Sequence, residues 1–173
     1  MVVILLLASN SNRWLSASGV PIESNRREPL PDFDFPQLNR GHWRLRDHRG
    51  DIVLLDFWAT WCPPCREETP GLVHLSQHLP SNDIVVVGIS MDENQSAITA
   101  FVRAFHVPYP VLLPPSGSAL PGSVESLPTS LLLDRQSRVA HSYVGAVSEA
   151  VFSRDIEQLR GESRLASVAS TNR

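Results

Sequence analysis

The stretch Val53-Leu54-Leu55-Asp56-Phe57-Trp58-Ala59-Thr60-Trp61-Cys62-Pro63-Pro64-Cys65 contains both cysteines of the 173-residue chain. The apolar run 52–58 is typical of a buried strand, so the cysteines fall where a strand gives way to a helix. A thiol at a helix N-terminus is stabilised as a thiolate by unpaired N–H groups and peptide dipoles, and a second thiol one turn later can close a disulfide with it. Because the chain has no other cysteine, the pair is expected to serve redox exchange rather than a disulfide framework.

Further elements are expected on both sides of this motif. Two short segments, at about 33–38 and 43–45, are predicted to pair as a hairpin before the main sheet. The strand 52–58 is apolar on both faces, which predicts a central strand covered by helices on each side. The remaining pattern predicts helices at about 64–79, 92–105 and 148–159 and strands at 84–90, 109–113, 129–133 and 139–144. This order indicates an α/β layered fold.

Three segments of the chain also resemble thioredoxin-like proteins. They are the cysteine motif with its continuation to Pro70, the segment Asp83–Asp92, and the segment Leu127–Asp134. The chain is most similar to the TlpA/ResA/CcmG group of exported bacterial thiol–disulfide oxidoreductases, over roughly residues 31–159. The resemblance implies an α/β thioredoxin fold, a central mixed sheet flanked by helices, with an N-terminal β-hairpin extension. It also implies that a redox-active disulfide, Cys62–Cys65, takes the place of a bound cofactor.

The chain divides into three parts by composition. Residues 1–29 are a short apolar start and a flexible lead-in, residues 30–160 a thioredoxin-like domain, and residues 161–173 an expected disordered tail. The apolar run 2–8 is at the lower limit for an export signal and no cation precedes it, so the residues alone fit either a short signal or a frayed tail. It is too short to span a bilayer. The resemblance favours export to the bacterial periplasm or cell envelope, with the cytoplasm as the alternative.

Charge and ligand patterns exclude other classes of function. A formal net charge of −3, without a run of Lys or Arg, offers no basic surface for nucleic acid. A structural zinc site takes four ligands, and no second CxxC exists. His74 and His78 are spaced to chelate a metal between them, but nothing marks a third ligand. Two solvent-facing histidines and no metal site are therefore expected.

The two cysteines are expected to have different roles. Cys62, at the helix start and on the exposed side of the turn, is the predicted nucleophile, and the more buried Cys65 is the predicted resolving thiol. Pro63 and Pro64 have no N–H, so two donors that could stabilise the thiolate are absent. The thiol is therefore not expected to be extremely acidic. The alternative is an inert, packing disulfide, which the helix start and two flanking tryptophans disfavour.

Asp56 and Pro128 take their predicted roles from the resemblance. Asp56 is the charged residue of its strand, and a buried carboxylate has to be neutral or paired. It matches the buried acid of thioredoxin, which relays a proton to or from the resolving cysteine; the alternative is an Asp that caps nearby N–H groups. Pro128 matches the cis-proline of the family, although trans is the default for an X–Pro bond. The predicted substrate-binding residues are Trp61, Pro63, Pro64, Leu127 and Pro128.

The sequence thus predicts a thiol–disulfide oxidoreductase that acts on protein thiols and disulfides as a reductant and is recharged by an upstream thiol reductant. Cytochrome c maturation is one role that the resemblance implies. The first alternative is a thioredoxin-fold thiol peroxidase, whose nucleophile usually follows a Pro-x-x-x-Thr-x-x-Cys pattern. Leu55 and Ala59 stand at the positions of that Pro and Thr. The second alternative is a non-catalytic thioredoxin-like binding module.

Overall fold

The computed structural model describes residues 20–39, 41–79, 83–122 and 124–171, and within these ranges it describes side chains from residue 21 to residue 162. The strands are β1 (Val20–Pro21), β2 (Asp34–Pro36), β3 (His42–Arg44), β4 (Ile52–Trp58), β5 (Ile84–Ser90), β6 (Val111–Leu112), β7 (Thr129–Leu133) and β8 (Val139–Val144). The helices are α1 (Pro63–His78), α2 (Gln95–Ala104) and α3 (Glu149–Thr171). Short 3₁₀ turns lie at Ser24–Arg26 and Leu45–His48.

Six strands form one mixed sheet in the order β1-β8-β7-β4-β5-β6. The central strand β4 is buried along its whole length and pairs in parallel with β5 and antiparallel with β7. Strand β5 in turn pairs in parallel with β6. Because β4, β5 and β6 run in the same direction, their carboxyl ends meet at one edge, where open α/β sheets place ligands and reactive groups. The cysteine motif begins at this edge.

Helices cover one face of the sheet and the hairpin covers the other. One apolar cluster joins α1 and α3 to Ile52 and Leu54 of β4. A second cluster joins the alternate residues of β4 to Phe35 and Trp43, and none of its buried members lies on α1, α2 or α3. The prediction of helices on both sides of β4 is therefore wrong. The predicted hairpin is confirmed, since β2 and β3 pair antiparallel with Phe35 opposite Trp43.

Both ends of the described chain are more ordered than the sequence predicts. In place of a flexible lead-in, β1 pairs with β8, and the buried Arg27 donates to both carboxylate oxygens of Glu162 at 2.8 and 3.0 Å. Helix α3 continues to Thr171, so the predicted disorder beyond residue 160 is wrong for residues 161–171. The apolar start, with all of residues 1–19, lies outside the described residues. Within the described ranges, no helix is both long and apolar enough to cross a membrane.

A buried histidine packs where β8 meets α3. His141 is 2% exposed, its ring stacks on Tyr143, and neither ring nitrogen has a hydrogen-bond partner among the described residues. Asp155 places Oδ2 3.5 Å from Nδ1, but this carboxylate already accepts hydrogen bonds from Tyr143 and Arg154. Burial lowers the pKa of His141 and outweighs the opposing effect of the Asp155 charge. The other charged groups that act on the ring are Arg27, Arg154 and Glu162.

We expect His141→Phe to reduce the acid sensitivity of the fold. Because the pKa of His141 lies below the unfolded-state value of about 6.5, the unfolded chain takes up this proton first as pH falls, and the free energy of unfolding decreases. Phenylalanine keeps a ring against Tyr143 and removes the titration. The stability of the variant relative to wild type should therefore increase by up to about 1.4 kcal/mol per pH unit between about pH 6.5 and 5.

Urea unfolding at a series of pH values measures this difference. His141→Leu, which removes the ring as well, should show the same pH trend with a different constant offset. Either a constant or a decreasing relative stability on acidification would contradict the prediction. A constant value would mean that folding does not shift the pKa of His141, and a decrease would mean that Asp155 holds the ring charged.

Candidate active site

The two cysteines form a disulfide at the start of α1, with an S–S distance of 2.06 Å. Cys62 is the N-cap residue, and its Sγ accepts a hydrogen bond from the backbone N–H of Cys65 at 3.3 Å. Pro63 and Pro64 occupy the first two helical positions, where a missing N–H is tolerated. The prediction that Cys62 lies at a helix N-terminus is confirmed. Of the first three helical residues, only Cys65 has a backbone N–H, and this N–H donates to the sulfur of Cys62.

Cys62 and Cys65 are almost equally buried, at 3% and 2% exposed. The prediction that Cys62 lies on the exposed side of the turn is therefore wrong for the disulfide form. Both cysteines belong to an apolar cluster with Trp58 and with Ile98 and Phe101 of α2, which explains their burial. The two thiols are distinguished instead by their place on the helix. Cys62 precedes the first turn, at the positive end of the peptide dipoles, and Cys65 lies inside it.

The loop before β7 packs beside the disulfide. The Leu127–Pro128 peptide bond is cis, as the resemblance implies. Leu127 is half-buried against the cluster that contains both cysteines, and Pro128 is buried. The carbonyl of Pro128 accepts the N–H of Gly145 at 2.8 Å, which joins the end of β8 to this loop. The fold thus places Leu127 and Pro128 next to the cysteines.

Two large apolar side chains are exposed at this end of the molecule. Trp61, directly before Cys62, is 67% exposed, and Val144, opposite Thr129 in the sheet, is 63% exposed. Among the other predicted docking residues, Pro63 is exposed and Pro64 half-buried. The exposure of Val144 was not predicted, since nothing in the sequence separates an exposed valine at a strand end from a buried one.

Asp56 is buried in the middle of β4, 3% exposed. Ser130 lies opposite it in β7 and donates its hydroxyl to Asp56 Oδ1 at 3.3 Å. Burial raises the pKa of Asp56 to about 7, because the charged form loses its hydration, and the Ser130 hydroxyl opposes this effect. Among the described residues, the partner of Asp56 is this hydroxyl rather than a backbone N–H. The alternative reading of Asp56 as a cap for N–H groups is therefore not supported.

Glu68 is a second buried acid that the sequence reasoning missed. It is 5% exposed, its Oε1 accepts the N–H of Val147 at 2.9 Å, and its Oε2 has no partner in the described part of the chain. Burial, reinforced by the charge of Asp56, raises the pKa of Glu68 to about 9. Helical spacing could have found it, since Glu68 follows Cys65 by three residues and precedes the buried Leu72 by four.

His74 and His78 are both exposed, with their rings stacked 3.8 Å apart. His74 Nδ1 lies 2.6 Å from Glu149 Oε1, and His78 Nδ1 lies 2.8 Å from the His74 carbonyl oxygen. Across the described ranges, no group of three or more His, Cys, Asp or Glu side chains is arranged to hold a metal ion. The prediction of two solvent-facing histidines is confirmed by their exposure.

The chain matches the AhpC/TSA family over residues 27–160. The thiol-disulfide oxidoreductase ResA of Bacillus cereus is 31% identical over 165 residues, which cover 92% of this chain and 91% of that protein. The thioredoxin-like protein YneN of Bacillus subtilis is 27% identical, over 86% of this chain and 89% of its own length.

Among solved structures, a thiol:disulfide interchange protein of the thioredoxin family from Chlorobium tepidum is similar at a TM-score of 0.69 and 26% identity. The match covers 78% of this chain and 97% of that one. The thioredoxin fold and the resemblance to thiol–disulfide oxidoreductases, both predicted from the sequence, are confirmed.

We expect Asp56→Asn to stabilise the disulfide form, and most strongly above neutral pH. The unfolded Asp56 ionises near its ordinary value of 3.8, whereas the folded one stays protonated up to about pH 7. The wild-type free energy of unfolding therefore decreases as pH rises through this interval, by up to about 1.4 kcal/mol per pH unit. Asparagine keeps an acceptor for Ser130 and removes the ionisation. The variant should thus gain stability over wild type as pH rises from about 4 to about 7.

Glu68→Gln is the matched control, because glutamine resembles the protonated acid and keeps an acceptor for Val147. The same linkage applies to Glu68, which ionises near 4.5 in the unfolded chain and near 9 in the fold. This variant should therefore gain stability over wild type from about pH 4.5 to about pH 9, beyond the pH at which the gain of Asp56→Asn levels off. Denaturation curves of the oxidised proteins across the pH range test both. A stability deficit of Asp56→Asn that does not change with pH would show that Asp56 carries no buried titration.

Proposed function

Because this chain belongs to the AhpC/TSA family and is similar to thiol-disulfide oxidoreductases, it is itself a thiol–disulfide oxidoreductase, and we propose that it reduces protein disulfides in the cell envelope. The observation that carries this proposal is the Cys62–Cys65 disulfide at the N-terminus of α1, beside a cis-proline loop. The envelope location rests on the resemblance to exported proteins.

In the proposed reaction the reduced protein starts with two thiols. The Cys62 thiolate attacks one sulfur of a client disulfide, a mixed disulfide forms, and the other client sulfur leaves as a thiolate that takes up a proton. Cys65 then loses its proton and attacks Cys62 Sγ, which releases the second client thiolate. Two electrons have passed to the client, and the Cys62–Cys65 disulfide of the structure is the product. An upstream thiol reductant returns it to the dithiol.

We propose that Asp56 takes the proton of Cys65 in the resolving step. A buried thiol ionises poorly, and a carboxyl whose pKa lies near neutral pH is an effective base for it. Two features support this role: Asp56 raises the pKa of Glu68, so the two acids are close, and Glu68 lies on the same helix face as Cys65. Glu68, protonated at neutral pH, keeps the pair at no more than one negative charge.

We propose that clients dock as extended segments against the cis-proline loop. No hydrogen bond to the Leu127 backbone is formed within the described residues, so its N–H and C=O remain open to a client. Trp61 and Val144 supply apolar contacts on this surface, together with Pro63. Client segments with a closely spaced cysteine pair, such as the haem-binding cysteines of apocytochrome c, fit this chemistry and the resemblance.

Reduction of insulin by the dithiol form tests the proposed function. We expect catalytic reduction of insulin in the presence of a thiol reductant, without consumption of hydrogen peroxide. Rapid peroxide consumption would favour the thiol peroxidase, and neither activity would favour the non-catalytic binding module.

Substituting each cysteine singly should separate their roles. Cys65→Ser is expected to attack a client once and to accumulate as a mixed disulfide, because the resolving thiol is gone. Cys62→Ser is expected to lose exchange altogether, because the thiol at the helix N-terminus is the nucleophile. Non-reducing electrophoresis after incubation with oxidised insulin measures the adduct. Adducts on Cys62→Ser and none on Cys65→Ser would reverse the assignment.

The redox potential should be closer to that of thioredoxin, about −270 mV, than to that of DsbA, about −120 mV. Pro63 and Pro64 provide no N–H, so the Cys62 thiolate receives few hydrogen bonds and the reduced form is only moderately stabilised. Pro64→Ala restores one donor and should raise the potential by about 30 mV, which corresponds to about 1.4 kcal/mol. Equilibration with glutathione buffers measures the redox potentials of the wild type and of the Pro64→Ala variant. A wild-type potential near that of DsbA would contradict the prediction and the reductant role.

A further inference from the structure

The turn that connects β4 to α1 is held from the neighbouring strand by one carboxylate. Asp92, just beyond the end of β5, accepts the backbone N–H of Thr60 on Oδ2 at 2.8 Å and the Thr60 hydroxyl on Oδ1 at 2.7 Å. The hydroxyl of Ser90 also donates to Oδ2, at 3.3 Å. The sequence pattern indicated Asp92 as part of a helix start, but Asn94 caps α2. Asp92 is therefore available to bind the turn.

The turn sets the positions of residues that take part in the proposed exchange reaction. Thr60 is followed directly by the exposed Trp61 and by Cys62. The other backbone contacts of the turn are the Cys62 N–H to the Ala59 carbonyl at 3.2 Å and the Met91 N–H to the Trp58 carbonyl at 2.8 Å. Thr60 itself is fixed by its two bonds to Asp92.

The start of α1 provides little to replace this anchor. Helices usually begin with a Ser, Thr, Asp or Asn whose side-chain oxygen binds the first N–H groups. Here the cap is Cys62, whose sulfur is a weak acceptor, and the next two residues are prolines without an N–H. The position of the Cys62 sulfur relative to the Cys65 N–H is thus set largely by the turn that precedes it.

We propose that Asp92 is a positioning residue for disulfide exchange, which holds Thr60 so that the Cys62 sulfur stays aligned with the N-terminus of α1. A role of Asp92 in disulfide exchange rests on the proposed function, but the reactivity of Cys62 can be measured without a client. Asp92 acts through hydrogen bonds rather than through its charge. The donors that bind it are neutral, and a negative charge nearby would by itself disfavour a Cys62 thiolate.

Four single substitutions separate hydrogen bonding from charge. Thr60→Val removes the hydroxyl donor and keeps the shape and the Asp92 charge, whereas Thr60→Ser keeps the hydroxyl. Asp92→Asn removes the charge and replaces one acceptor oxygen by an NH₂ group. Glu93→Gln removes a neighbouring exposed charge that makes no hydrogen bond to the turn.

Each variant is prepared in the full chain with Cys65→Ser, so that Cys62 is the only thiol. The rate of alkylation by iodoacetamide from pH 5 to 10 gives the pKa of Cys62 and its reactivity. Thr60→Val and Asp92→Asn should both raise this pKa and slow alkylation at pH 7 by about fivefold, which corresponds to about 1 kcal/mol of helix-terminus stabilisation. Thr60→Ser and Glu93→Gln should remain within about twofold of the parent.

Two results would overturn the proposal. A Thr60→Val variant that reacts like the parent while Asp92→Asn does not would assign the effect to charge, and a Glu93→Gln variant equal to Asp92→Asn would do the same. Circular dichroism and unfolding curves establish that each variant is folded, and the two Thr60 variants decide the matter if Asp92→Asn does not fold. Insulin reduction, measured separately on the variants that retain Cys65, reports on the proposed function. Its absence in the wild type would contradict that function and leave the alkylation result valid.

Discussion

The Cys62 sulfur has one backbone donor at the start of α1, the N–H of Cys65 at 3.3 Å, and the active end of the molecule is built around this contact. Two prolines fill the intervening positions, so the helix terminus offers far fewer N–H groups than an ordinary N-terminus does. The dipoles of α1 still favour a negative sulfur there, but the direct stabilisation is small. Such a thiol forms a reactive thiolate without making the dithiol state strongly preferred, which suits a protein that donates electrons.

The same helix brings two carboxyl groups into the core. Asp56 shares its strand face with Leu54, which packs with α1, and Glu68 lies on the face of α1 that turns toward the sheet. Neither acid has a cationic partner among the described residues, so burial raises the pKa of both. This arrangement lowers the free energy of unfolding near neutral pH, because both carboxyl groups are ionised in the unfolded chain while burial favours their protonated forms in the fold. Acids whose pKa values are shifted by burial cluster at functional sites, and this supports the proposed role of Asp56 as the base for Cys65.

Local sequence patterns predicted most of the strands and helices, but they did not predict the long-range contacts between them. The bounds of β4, β5, β7 and β8 follow from apolar runs and turn residues, and all four agree with the sequence reading. The hairpin itself was predicted, but its position on one face of β4 was not, because a strand buried on both faces has the same composition whatever covers it. The ordered N-terminal segment depends on Arg27 binding Glu162, 135 residues away, and no local signal marks such a pair.

The candidate site shows the same division. Cys62, Cys65 and Asp56 stand out because their residue types are unusual in their surroundings, and Pro128 was placed by resemblance. Glu68 was within reach, since the helical stripe that contains Leu72 also contains it. Val144 and Asp92 could not be predicted from the sequence, because an exposed valine and an acid after a strand are both common. Their proposed roles arise only when the sheet aligns separate parts of the chain.

That alignment joins the cysteine turn and the cis-proline loop to one set of neighbouring strands. The turn before Cys62 leaves β4, the cis-proline loop enters β7, and Gly145 follows β8, and the three strands are neighbours in register. The Gly145 N–H binds Pro128, and Glu68 binds the N–H of Val147 two residues later. A shift of the β8 end would therefore change the positions of both the cis-proline loop and the acid one turn beyond Cys65. We therefore expect the geometry of exchange to depend on the register of these three strands as well as on the side chains of the proposed docking surface.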